Sequence, residues 1–448
     1  MPKSLHDICS CVGKLNGNEF VGIRCDGNPD GCGLAITFPL GYFANDEALR
    51  NLPEEELREC VVNLFDVLSD PRLTCLLDSS VDSLDVQSPE NCSFPMQAYL
   101  QILRDFMDRG YYCEREIQYK QGASGKINWG RTIKQTRPVL CDENVVYLNP
   151  IARKLNLNED ELITLIHKFC VYEAASKVGF IFGIEPDGEN PLDFDAEMFR
   201  GTLLQKLSRT FNDRDSMLFR NMLSMVEFLE KGLAEDFSTP KDFYFGVDNF
   251  EGVWEKMVDG IFGNLLDGET KESFNPHCSW SLPGEESPYN TMRPDTIMRR
   301  VSESGENEVF VVDAKYYKYG VTRKKCDLPT SDSICKQIAY AEYVEVNKRV
   351  DGRRVYNVFV MPYCEKSWSA TKSDSANSQV ADSDDAAKSF GMRFAGSAAC
   401  DWKKMDDAAA KPYYRIAGIM LDVKSVMRSY GKNASAQKEM AELVKSCV

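Results

Sequence analysis

The sequence predicts an α+β multidomain protein, with a small N-terminal β unit, a helical middle region and a C-terminal α/β domain. Three observations carry this reading. Short apolar runs between turn residues fill the first 45 positions, apolar residues recur at helical spacing through 150–235, and from about 240 strand patterns alternate with helical ones. A chain of 448 residues, 43% hydrophobic and 27% charged, has the material for several buried cores.

In the N-terminal region, 1–95, Phe20-Val21-Gly22-Ile23 and Leu34-Ala35-Ile36-Thr37-Phe38 read as strands around a turn-rich DGNPDGCG. Residues 46–69 place Leu49, Leu52, Leu57, Val61, Leu64 and Phe65 at helical spacing, and 70–95 read as a linker. A mixed β segment, 96–150, opens with a helix from Pro95 to Met107. Its strands, Glu116–Tyr119 and Val145–Leu148, flank GKINWGRTIK. The helical region, 151–238, carries Leu162, Leu165, Ile166 and Phe169 on one stripe, then Leu218, Met222, Met225 and Leu229 on another. Asn158 and Glu161 are spaced as a capping box, and Gly179 falls just past the helix end. Such stripes are ordinary core faces. The last domain, 239–448, is interrupted by a polar insertion at 367–389.

Charge and cysteine usage narrow the function classes. There are 53 Lys and Arg against 69 Asp and Glu, a formal net charge of −16. That balance opposes general phosphate binding, so DNA contact needs a local basic groove or a partner that supplies it. No apolar h-region opens the chain and no run nears the ~18 apolar residues of a membrane span, so a soluble, cytoplasmic protein without membrane contact is expected. The 16 cysteines include no CxxC pair and read mostly as small buried hydrophobes. Cys9, Cys11, Cys25 and Cys32 form one group that is either free thiols or, at irregular spacing, a zinc site. Gly122-Ala123-Ser124-Gly125-Lys126 lacks the first glycine and the final Ser or Thr of a phosphate-binding loop, so no nucleotide site is expected.

The chemistry concentrates in MRPDTIMRRVSESGENEVFVVDAKYYKYG. Pro294-Asp295 opens one strand, and Val309-Phe310-Val311-Val312 leads to Asp313-Ala314-Lys315 on the next. A hairpin brings Asp295 and Asp313 together, and the alternation of a strand sends Asp313 and Lys315 to the same side. Two carboxylates suit Mg²⁺ or Mn²⁺, hard cations that take oxygen ligands. A lysine beside them orients a water or offsets developing charge. This is a PD-(D/E)xK, restriction-endonuclease-like constellation for hydrolysis of DNA phosphodiester bonds. Taken alone, Asp-x-Lys equally fits a surface ion pair at a strand end. Glu255, on a helix upstream, is a candidate third metal ligand, and Gln337, on a helix downstream, a candidate contact to substrate or water. Lys318, Arg323, Lys324 and Lys325, interleaved with Tyr316, Tyr317 and Tyr319, are candidate contacts to double-stranded DNA, together with Tyr340.

RPDTIMRR, FVVDAKYY and KQIAYAEY, in that order, resemble the motifs of McrC-like nuclease subunits, and among them the LlaJI-type restriction endonucleases. The resemblance extends to FPLGY, GKINWGRTIK, NFEGVWEKMVDGIFG, VYNVFVMPY and YRIAGIMLDVKSVM. It implies a C-terminal nuclease whose metal carboxylates are Asp295 and Asp313, whose catalytic lysine is Lys315 and whose helix acid is Glu255. It also implies an N-terminal part docking on a McrB-like AAA+ GTPase, in an anti-phage restriction system. The insertion at 367–389 is longer than that pattern, and the N-terminal piece is short for a finger entering a motor ring. A nuclease without a motor and a non-catalytic protein of nuclease-like fold are the alternatives.

Overall fold

The computed structural model describes residues 4–11, 20–26, 33–74, 94–122, 126–141, 144–158, 161–234, 243–281, 289–302, 304–348, 350–370, 389–403 and 410–447. They form a mixed α+β architecture of two compact units, 1–89 joined with 240–448, and 90–239.

The first unit contains the N-terminal sheet, in the order Cys9–Cys11, Gly33–Phe38, Val21–Asp26, Phe243–Val247. Its last strand comes from beyond residue 240, so the 1–95 segment groups with the C-terminal part. Glycine makes this pairing possible. Gly22 stands at φ +142° opposite Gly246, and a Cβ on either would collide with a carbonyl of the facing strand. Helix Glu54–Leu68 buries Leu57, Val61, Leu64 and Phe65, and the Phe65 ring meets Phe245 edge-on.

The same unit holds a five-stranded sheet. Its strands are β1 Thr296–Val301, β2 Asn307–Ala314, β3 Val355–Tyr363, β4 Arg393–Ala399 and β5 Arg415–Asp422. Their order is β1-β2-β3-β5-β4. The β1–β2 hairpin is antiparallel, β2, β3 and β5 run parallel, and β4 returns antiparallel at the edge. Val309 to Val312 are all fully buried, as the near-continuous apolar run of a covered parallel strand requires. Helix α1, Glu251–Phe262, packs along β1 and β2 through a stripe containing Trp254, Met257 and Val258. Helix α2, Ser331–Lys348, covers the face bearing Ile297, Val309 and Val311 with Tyr340, Ala341 and Val344.

The second unit, 90–239, packs helices Met96–Arg109, Leu162–Val178, Ala196–Leu207 and Asp213–Ala234. Beside them is a three-stranded sheet, Glu114–Gln121, Ile151–Asn158 and Lys126–Ile127. Residues 151–158 are therefore a strand and not the start of the helical region. Leu155-Asn156-Leu157-Asn158 alternates with period two, the signal that overrides the helical reading. Asn158 belongs to that strand, and the helix opens at Glu161 without a side-chain cap bond. Gly179 ends it in a right-handed conformation, and its missing side chain leaves room for the Ile184 carbonyl. The strand expected over Val145–Leu148 is Asn144–Val146, paired with Val139–Cys141. Most of the insertion 367–389 and of the linker 70–95 lies outside the described residues.

Candidate active site

Strand register assembles the site. Thr296 stands opposite Val312 and Ile297 opposite Val311, so one step further back places Asp295 across from Asp313, on the face shared by Ile297 and Val311. The Asp295 Oδ2 accepts a hydrogen bond from the Ala314 N–H at 2.8 Å, which ties the carboxyl to the end of β2. Asp313 is buried, and its Oδ2 lies 2.8 Å from Lys315 Nζ. Burial, then a hydrogen bond and the charge of Asp313, then the charge of Glu255, push the Asp295 carboxyl up to about 9. The two carboxyls repel each other when both are charged, and Lys315 offsets part of that repulsion. Burial disfavours the Lys315 ammonium, but the neighbouring Asp313 outweighs it and raises the lysine above its ordinary value.

Glu255 projects from α1 within electrostatic reach. Burial raises its carboxyl, followed by the charges of Glu251 and Asp313. The charge of Asp313 reaches Glu255, and that of Glu255 reaches Asp295. Two adjoining carboxyls that repel each other are a fitting donor set for a hard divalent cation, because a cation relieves that repulsion.

The α2 residues are placed as supports. Gln337 is fully buried and its Nε2 donates to the Val311 carbonyl at 2.7 Å, bracing β2 two residues before Asp313. Tyr340 is 2% exposed, and its hydroxyl donates to the Arg293 carbonyl at 3.0 Å, bracing the approach to Asp295. Both side chains face the protein interior. Of the basic candidates, Lys318, Lys324 and Lys325 are exposed. Arg323 turns inward: it stands at φ 58° and its Nη1 lies 3.5 Å from the Met420 sulfur. The tyrosines expected among these bases also pack inward, Tyr316 against Phe250 and Trp254, and Tyr319 against Met361, Tyr363 and Met420.

One support was absent from the sequence reading. The Leu40 N–H donates to the Tyr316 hydroxyl at 2.7 Å, so FPLGY is bonded to the residue that follows Lys315. The only signal was the motif itself, which carries no chemistry of its own. Elsewhere, Cys9 is buried and pushed up to about 12 by that burial, then by Cys60; burial and then Asp46 raise Cys11. The Cys25 side chain and Cys32 lie outside the described residues. A cavity of about 500 Å³ in the 90–239 unit is lined by Asp105, Arg109, Asn212 and Asp215, but its charges are paired among themselves.

The unit that carries the site is a mixed α+β unit in which two carboxyls stand across a strand pair beside a lysine. The model of the LlaJI restriction endonuclease family matches residues 78–383. The chain belongs to that family. It is 26% identical over 262 residues to the type II restriction enzyme BsuMI component YdjA of Bacillus subtilis (strain 168), covering 56% of this chain. The match spans about half, 55%, of that relative. Its fold also aligns, at a TM-score of 0.31 and 15% identity, with a chain of the Thermococcus gammatolerans assembly of McrB AAA+ hexamers with bound McrC. That alignment covers 96% of this chain and 83% of the other, a likeness too distant to carry weight. Among the described residues no helix is long and apolar enough to cross a membrane.

Proposed function

We propose that this chain is the DNA-cutting subunit of a restriction system, hydrolysing phosphodiester bonds at a PD-(D/E)xK centre made of Asp295, Asp313 and Lys315. One observation carries the reading: strand register sets Asp295 across from Asp313 at a strand end, directly beside a lysine whose Nζ lies 2.8 Å from Asp313. A structural ion pair needs one carboxylate, and the second, held at the cost of a raised pKa, is what catalytic sites accumulate. Asp295 and Asp313 would hold Mg²⁺ or Mn²⁺, which when bound polarises the scissile phosphate and lowers the pKa of a water. The Ala314 N–H fixes the Asp295 carboxyl in place for this, and Glu255 adds negative potential from α1. Lys315, oriented by Asp313, positions the attacking water or offsets charge developing on the phosphate. The intact set argues against a non-catalytic protein of the same fold.

The chain works with a McrB-like AAA+ GTPase in this reading. The motif resemblance supports that partner, and one surface of the 90–239 unit favours it over a nuclease acting alone. Trp129, Ile133, Leu140, Val145 and Leu148 are all more than half exposed within 20 residues. Clustered apolar exposure of this kind marks an interaction surface.

The test is Mg²⁺-dependent cleavage of duplex DNA by the wild type and Lys315→Ala, each with and without a candidate GTPase. Wild type should cut, and the variant should lose roughly 10²–10³-fold. Equal cutting by both refutes the assignment.

A further inference from the structure

Resting on the nuclease reading above, we propose that Arg293 is a further substrate-binding residue, clamping a DNA backbone phosphate beside the scissile bond. Its backbone is immobilised from three directions. Met292 packs against the core cluster of Phe274, Ile297 and Tyr340; Pro294 is buried; and the Arg293 carbonyl accepts from the Tyr340 hydroxyl at 3.0 Å. The side chain is the one part of Arg293 that faces solvent. It makes no ion pair with the described residues, whereas the two strand arginines are engaged, Arg299 paired to Glu269 at 2.8 Å and Arg300 donating to the Gln437 carbonyl at 3.2 Å.

A guanidinium two residues before Asp295, held by its backbone and left without a carboxylate, has the chemistry to meet a phosphodiester. Its planar fork matches two phosphate oxygens. The charged groups around it are Asp295 and Glu272. Asp295 is engaged by the Ala314 N–H at 2.8 Å, and the exposed Glu272 is near enough to feel the Arg293 charge without bonding it. Lys318, three residues after Lys315, is a second exposed cation close in sequence to the carboxyl pair. Positive charge on the phosphate-facing rim offsets the repulsion that a chain of net charge −16 presents to DNA.

The test measures duplex binding across a salt series in the full-length chain, on a Lys315→Ala background that stops cutting, and KM and kcat in the chain with Lys315 intact. Arg293→Ala should weaken binding about tenfold, the effect of a lost charge-assisted pair of hydrogen bonds. It should flatten the log–log salt slope by about 0.9 and raise KM more than it lowers kcat. Arg293→Lys should restore the slope but only part of the affinity. Glu272→Gln should tighten binding. An exposed side chain leaves the melting temperature unchanged, which separates the effect from misfolding. If the wild type cuts DNA and Arg293→Ala keeps its slope and KM, this inference fails while the nuclease assignment stands. If the wild type neither cuts nor binds duplex DNA, both fall.

Discussion

Tyr340 shows how a single hydroxyl reaches the site without touching it. The ring lies in the core and the oxygen bonds the Arg293 carbonyl at 3.0 Å. Tyr340→Phe should cost about 1 kcal/mol of stability, the usual net worth of such a bond. KM for DNA should rise while melting shifts by only a few degrees; an unchanged KM would remove the positioning role. His167 offers a second prediction at this scale. It is fully buried, its Nδ1 accepts from the Tyr112 N–H at 2.9 Å, and burial lowers its pKa to about 4, Asp105 opposing and Arg109 adding to that shift. The folded state therefore resists a proton that the unfolded chain accepts from its ordinary 6.5 downward. The stability present above 6.5 should fall as pH drops and be fully lost below about 4, by about 3 kcal/mol. Urea titrations of the 90–239 unit within the whole chain, between pH 7 and pH 4, measure this. His167→Gln, which keeps an acceptor, should flatten the profile.

At the scale of elements, the hairpin decides whether two distant carboxyls meet. Their separation of 18 residues in sequence becomes a cross-strand pair because β1 and β2 register at Thr296 and Val312. A cation bound by both should stabilise the fold by about 2.7 kcal/mol at a hundredfold excess over its dissociation constant. Thermal melts should therefore rise with Mg²⁺ or Mn²⁺ in the wild type and stay flat in Asp295→Asn; a matching rise in the variant would place the ion elsewhere. The N-terminal sheet makes a separate prediction. Gly22→Ala places a Cβ against the Phe245 carbonyl in a backbone conformation that other residues avoid. The cost should be about 1–3 kcal/mol, seen as a lower denaturation midpoint. Because that sheet shares its unit with Lys315, cutting should decline with stability and not independently of it.

Across the whole molecule, the candidate chemistry and the proposed partner surface lie in different units. The candidate chemistry lies in 1–89 with 240–448, while the exposed apolar residues around Trp129 and Leu140 lie in 90–239. A Leu140→Asp change, at a side chain 77% exposed, should leave melting unaltered. It should reduce the stimulation of cutting by the GTPase partner, read as the ratio of cleavage rates with and without it. Stimulation equal to wild type would remove this surface from the partner interface.

The sequence alone determined the local pieces of this protein. The Val309–Val312 run predicts β2, Pro294-Asp295 marks the start of the facing strand, and Asp313-Ala314-Lys315 aligns its two charges, because strand alternation is a property of neighbouring residues. The apolar stripes of α1 and α2 were legible for the same reason. What Gln337, Tyr340 and Arg323 face was not legible, since the direction of a polar side chain depends on what packs against its element, and all three turn toward the interior. Nor was the joining of the first 89 residues to the C-terminal part, which rests on Gly22 meeting Gly246 more than 200 positions away. Pairings over that distance leave no periodic trace in the chain. Tertiary structure decided them, along with the raised Asp295 carboxyl, because only packing removes water from a carboxyl and sets it beside another.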